Sequence, residues 1–218
     1  MINDIILTEL CARKPELLFL RDSIAEAASV IISSYENGGK LLTCGNGGSS
    51  SDAGHIVGEL MKSFDSVRPI KSEISRRLSE ISPERGKYLA SKLESGLPAI
   101  SLSSQTSLTT AISNDIGADL VFAQQVVSYG KAGDVLIAIS TSGNSQNVVD
   151  ACIVSRALNM KTIGLTGATG GKMKEFCDIL LNVPEKRTAF VQELHLPVFH
   201  VLCLLVEHHF FGIKKEVQ

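Results

Sequence analysis

Thr43-Cys44-Gly45-Asn46-Gly47-Gly48-Ser49-Ser50-Ser51-Asp52-Ala53-Gly54-His55-Ile56-Val57-Gly58-Glu59 is the stretch around which the chain is organised. It joins the apolar pair Leu41-Leu42 to a segment of helical character, so its glycines fall at a strand-to-helix turn. Backbone N–H groups without partners converge at such a turn, and the helix dipole adds positive potential, which makes an anion seat. His55 and Glu59 are four positions apart, so an imidazole and a carboxylate share one helix face just beyond the turn. That spacing offers a metal or acid/base pair beside an anion; a solvated helix face is the plainer alternative.

A second loop of the same kind lies downstream. Ser140-Thr141-Ser142-Gly143-Asn144-Ser145 concentrates hydroxyls and free N–H donors ahead of an amphipathic helix that runs through Leu158, with no Lys or Arg in the run. Hydroxyls and amides enclose a phosphate without fixed cations, so a phosphomonoester suits the loop, whereas serines that merely cap a helix are the alternative. Neither loop has the Walker pattern, and Gly45-Asn46-Gly47-Gly48 is not G-x-G-x-x-G, so no nucleotide cofactor is expected. Near the C-terminus Gln192, His195 and His200 interrupt an apolar segment. Gln192 and His200 are eight residues apart, about two turns, and a kink at Pro197 would bring them near one face.

The chain between these loops alternates strands and helices. Strands are expected over 40–44, 99–103, 134–140, 161–166 and 179–183, with helices over 15–35, 120–129 and 192–211. This predicts an α/β fold with a five-stranded parallel sheet flanked by helices, a three-layer sandwich in which ligands bind beyond the C-terminal strand ends. The N-terminal helical segment, 1–36, has no partner in a minimal α/β unit, so pairing with another subunit is expected. Between Phe64 and Gly96 charged residues are dense, and two apolar stripes meet at the helix start Ser82-Pro83-Glu84. That segment, 64–96, reads as an inserted αα-hairpin, expected near the mouth of the site because it follows the Glu59 helix directly. The whole of 1–218 reads as one domain.

Composition excludes several classes. With 218 residues, 44% hydrophobic and 20% charged, the chain is an ordinary globular protein, and a net charge of −2 carries no polyanion-binding signature. No nucleic acid partner is expected, and the absence of Trp argues against base-stacking platforms. The five cysteines are scattered and odd in number, as in reduced thiols of a cytoplasmic protein. Met1-Ile2-Asn3-Asp4 does not begin a secretory signal, and no stretch is expected to supply the ~20 apolar residues of a membrane helix.

Taken together, these motifs resemble the phosphoheptose isomerase family within the SIS (sugar isomerase) fold, which is flavodoxin-like. The carriers are C-G-N-G-G-S at Cys44 to Ser49, Asp52-Ala53, His55-x-x-x-Glu59, Asn114-Asp115, I-S-T-S-G-N-S at Ile139 to Ser145, L-T-G with G-G-K-M at Leu165 to Met173, and Gln192-Glu193-x-His195 with His200. The resemblance implies an aldose–ketose isomerisation of sedoheptulose 7-phosphate to D-glycero-D-manno-heptose 7-phosphate through a cis-enediol. It implies Glu59 as the base and His200 as the acid, a phosphate held by Ser140, Thr141, Ser142 and Ser145, and a sugar lined by Asn46, Gly47, Gly48, Asn114, Asp115 and Gln192. It further implies zinc on His55, Glu59, Gln192 and His200, and a homotetramer with sites at subunit boundaries. Inner-sphere ligands cannot shuttle protons at the same time, so zinc would belong to a resting state or shift when substrate arrives.

Three departures bear on the sugar. Ser63, with Lys62 before it, stands where close relatives have a basic residue, Ala189-Phe190 replaces an Asp-Arg or Pro-Arg pair, and the insertion is long. Competing readings are a non-catalytic protein that associates with the replication initiator, a sugar-phosphate-sensing regulator, and an arabinose 5-phosphate isomerase. His200, the short N-terminal segment and the end at Gln218 argue against these in turn.

Overall fold

The computed structural model describes residues 2–212. Five parallel strands form one sheet: β1 (Leu41–Gly45), β2 (Ala99–Ser101), β3 (Val135–Ile139), β4 (Lys161–Thr166) and β5 (Ile179–Asn182), in the order β2-β1-β3-β4-β5. Strand β3 reads Val-Leu-Ile-Ala-Ile and is buried along its whole length, as a parallel strand covered on both faces must be. Because side chains alternate across the sheet, its residues divide between two cores. Val135, Ile137 and Ile139 join Leu41, Ile163 and Leu165 in one core, while Leu136 and Ala138 join Leu42 and Cys44 in the other.

The first core is covered by α1 (Ile2–Arg13), α2 (Arg21–Glu36), α3 (Gly48–Met61) and the closing helix. Two further helices, α4 (Ser72–Ile81) and α5 (Pro83–Lys92), form the expected hairpin. The second core is covered by α6 (Thr106–Asp115), α7 (Val121–Tyr129) and α8 (Gln146–Ala157), and the chain closes with α9 (Thr188–Phe211).

Three expectations need correction. The helix expected over 15–35 opens as a 3-10 segment, Pro15–Leu20, before α2, so Pro15 starts a tighter turn instead of the α-helix itself. Strand β2 stops at Ser101 because Leu102–Ser104 winds into a 3-10 turn.

The hairpin helices do not stand at the mouth of the loops. Helix α3 carries the chain back about 20 Å along the sheet, and Leu97 N–H bonds to the Leu60 carbonyl at 2.9 Å. The hairpin therefore borders a groove with Gly38, Gly39 and Pro98, which precede β1 and β2 at the opposite, N-terminal end of the strands. Helix α9 is long and apolar enough to cross a membrane by length and composition alone, but it is a core helix, with Val191, Val198, Phe199 and Leu205 buried in the first core.

Candidate active site

The loops after β1 and β3 meet where the strand order reverses, the crevice in which sheets of this order bind ligands. Two backbone positions there demand glycine. Gly47 (φ +56°, ψ −122°) turns the chain into α3, and Gly143 (φ +67°) lies so close to the Gly170 carbonyl that a Cβ would collide with it. Gly143 N–H bonds to the Ser140 carbonyl at 3.0 Å, and its own carbonyl accepts Met173 N–H at 3.0 Å. Thr141 carbonyl accepts Gly167 N–H at 2.9 Å, which fixes the loop against β4.

The hydroxyls of this loop are not spent on helix capping. Ser145 precedes α8, but its side chain makes no cap hydrogen bond; Ser140 and Ser145 Oγ instead lie 3.0 Å apart. Ser142 is exposed, and its Oγ accepts the Asn144 N–H at 3.2 Å. The N–H groups of Gln146 and Asn147, the first two of α8, therefore remain available to an anion beside several hydroxyls, while Val148 N–H bonds to the Ser145 carbonyl at 3.0 Å. Asn46 reaches across from the first loop, its side-chain amide exchanging two hydrogen bonds with that of Asn147, at 2.8 and 3.0 Å. No feature of the sequence marks Asn147, which differs in nothing but position from any surface Asn.

A second cluster lies farther along α3. His55 Nε2 stands 3.0 Å from Glu59 Oε1 and 3.4 Å from His200 Nε2 on α9. The rings of Phe199 and Phe64 enclose the imidazoles, with Phe64 5.3 Å from His200 between centroids. The Glu59 side chain is only 12% exposed, and Lys62 Nζ donates to its Oε2 at 3.1 Å. Burial, the His55 imidazole and Arg13 lower the pKa of His200, while Glu59 opposes them. Burial raises that of Asp52, one turn before His55, against the pull of the imidazole.

Gln192 does not join this cluster within one chain. Its amide lies on Gly48, close enough that a Cβ there would collide with it, whereas His200 meets His55 two turns farther along both helices. Pro197 sits inside α9 without bringing Gln192 and His200 together. Asn114 and Asp115 are exposed at the end of α6, where the Asn114 amide donates to Asp115 at 2.8 Å. His195 is fully buried with neither ring nitrogen hydrogen-bonded, and desolvation lowers its pKa to about 4, with the Thr166 backbone acting the other way.

The donors present suit zinc in type, since imidazole and carboxylate are ordinary ligands. Tetrahedral bonds of about 2.05 Å put ligand atoms roughly 3.3 Å apart, close to the 3.0 and 3.4 Å separations around His55 Nε2. Among the described residues, no three His, Cys, Asp or Glu side chains form a finished metal centre.

The SIS domain family matches residues 17–93 and 78–167. The phosphoheptose isomerase of Helicobacter pylori strain P12 is 43% identical over 215 residues, covering 96% of this chain and 98% of its own. That of Rhodospirillum rubrum is 43% identical over 185 residues, 85% of each chain. The structure of phosphoheptose isomerase GmhA from Neisseria gonorrhoeae superposes with a TM-score of 0.72 at 36% identity, covering 90% of this chain and 91% of that one. The corresponding enzyme from Francisella tularensis gives 0.74 at 33% identity, over 95% and 96%. With this loop geometry, this strand order and this likeness over nearly the full length, the chain belongs to the SIS domain family and, within it, to the phosphoheptose isomerases.

Proposed function

We propose that the protein interconverts sedoheptulose 7-phosphate and D-glycero-D-manno-heptose 7-phosphate. The observation that carries this reading is the His55–Glu59–His200 cluster: a carboxylate and two imidazoles in contact, walled by aromatic rings, in a chain that also has an unspent hydroxyl loop. Glu59 takes the proton from the carbon beside the ketose carbonyl, giving a cis-enediol. His200 supplies and recovers the proton on the oxygens as the double bond moves, and Glu59 returns its proton to the neighbouring carbon. Ser140, Thr141, Ser142 and Ser145 hold the phosphate with the N–H groups of α8. Asn46, Gly47, Gly48, Asn114, Asp115 and Gln192 line the sugar.

His55, Glu59 and His200, completed by Gln192, would hold zinc in the resting site; shifted off Glu59 and His200 when substrate arrives, it would stabilise negative charge on the carbonyl oxygen. The position of Gln192 supports an assembly in which one copy completes the site of another. Gly48 and Glu59 stand about 16 Å apart along α3, and Gln192 lies at the Gly48 end. An extended heptose phosphate spans on the order of 10 Å from its first carbon to phosphorus. The phosphate loop and Gln192 of one subunit therefore serve the Glu59–His200 cluster of another, within a homotetramer. The setting is the cytoplasm, in keeping with free thiols at all five cysteines.

The test is an assay of purified, metal-defined protein with sedoheptulose 7-phosphate in deuterated water. Aldose formation with deuterium at the carbon beside the carbonyl is the expected result. Neither product nor exchange, with zinc supplied, would overturn the assignment.

A further inference from the structure

We propose that Arg68 and Glu207 are positioning residues, a buried pair that holds the Glu59 turn of α3 against the face of α9 bearing His200. The catalytic consequence rests on the isomerase reading; the geometric one does not. Arg68 lies in the strap between α3 and the hairpin, Glu207 lies two turns beyond His200, and their side chains are 0% and 1% exposed.

A paired charge in a core adds little net stability, so the contacts explain the pair better than its attraction does. Arg68 Nε donates to Glu207 at 2.7 Å, and the guanidinium nitrogens donate to the carbonyls of Leu60 at 2.7 Å and Glu59 at 3.0 Å. Those two carbonyls belong to the last turn of α3, where a helix has no partners of its own for them. Glu207 in turn accepts the N–H groups of Phe64 and Asp65, both at 2.8 Å, and the Phe211 ring packs against the guanidinium at 4.7 Å.

The pair therefore joins three segments: the backbone of Glu59, the backbone of Phe64 whose ring packs on His200, and the helix that carries His200. The strap is tied to the insertion separately, because the Arg68 backbone carbonyl accepts Ser95 N–H at 2.7 Å and Glu94 accepts Ser63 N–H at 2.8 Å. Replacing both charges by apolar side chains of similar length leaves a packed core but frees the Glu59 turn.

The experiment is the full-length double variant Arg68→Met/Glu207→Met, assayed beside the wild type and crystallised. A misplacement on the order of 1 Å at a reacting group costs up to about 100-fold, so kcat is expected to fall by at least about tenfold with KM within about threefold. The Glu59 carboxylate is expected to leave its 3.0 Å contact with His55 in the crystal structure. A folded double variant with kcat within about twofold of wild type and that contact intact overturns the proposal.

Should the double variant not fold, Arg68→Lys decides: it keeps the charge but reaches one carbonyl instead of two, so an intermediate loss supports the clamp and wild-type kcat overturns it. If the wild type itself shows no isomerisation, the functional reading fails, while the position of Glu59 in the variant structures still decides the clamp.

Discussion

Asn46 and Asn147 face each other across the crevice between β1 and β3, each side-chain amide donating to the other at 2.8 and 3.0 Å. The pair ties the glycine turn before α3 to the first turn of α8, so the two loops form one rim. Asn147→Ala removes both hydrogen bonds. Each bond of this kind is worth about 1 kcal/mol, so KM for the phosphosugar is expected to rise by about tenfold, with kcat less affected. Unchanged steady-state kinetics would show that the loops hold their places without the pair.

Glu59→Gln, which is isosteric, and His200→Asn, which keeps a polar side chain, remove the proposed base and the proposed acid. Each is expected to lower kcat by at least about 100-fold, with the circular dichroism spectrum unchanged. Wild-type turnover in both variants would sink the assigned roles. Co-refolding Glu59→Gln with a phosphate-loop variant tests the shared site. Random mixing of two inactive chains is expected to restore roughly a quarter of the activity if loop and base come from different subunits, and none if they come from one.

At Gly143 a methyl group meets the Gly170 carbonyl in a left-handed backbone conformation. Gly143→Ala is expected to displace the loop that presents Ser142 and to weaken inorganic phosphate binding by at least about tenfold, with global stability lowered by roughly 1–3 kcal/mol. Isothermal titration with phosphate and a thermal melt together check it; unaltered phosphate affinity would mean the loop is not the anion seat.

His195 makes folding sensitive to acid. Burial lowers its pKa from 6.5 to about 4, so the folded protein keeps the ring neutral where the unfolded chain takes up a proton. The sign follows from linkage: stability is intact above pH 6.5, declines as pH falls from there to about 4, and loses about 3 kcal/mol in all. Urea titrations of wild type and His195→Gln between these pH values should differ in slope, the variant being flatter. Parallel slopes would mean that the ring finds a proton-accepting partner on folding.

Much of this molecule was legible in its sequence because local rules suffice. The all-apolar Val135–Ile139 run is a covered parallel strand, the glycines at 45–48 turn a strand into a helix, and the i,i+4 spacing puts His55 on Glu59 at 3.0 Å. Other features depended on where segments meet. Arg68 reads like any surface arginine until Glu207, 139 residues away, covers it, although an acid directly after the apolar run 201–206 is a signal that a partner exists.

The separation of Gln192 from His200 likewise escaped a spacing argument. Eight residues predict a shared face, and both residues do face α3, but the parallel course of α3 and α9 sets Gln192 on Gly48 and His200 on His55, two turns apart. The strands, the two glycine and serine turns and the one-turn His55–Glu59 pair could be read from the chain because each depends on residues near one another in it. Only the tertiary structure decided the Asn46–Asn147 rim, the Arg68–Glu207 clamp and the place of the hairpin, because each depends on the path that brings distant segments into contact.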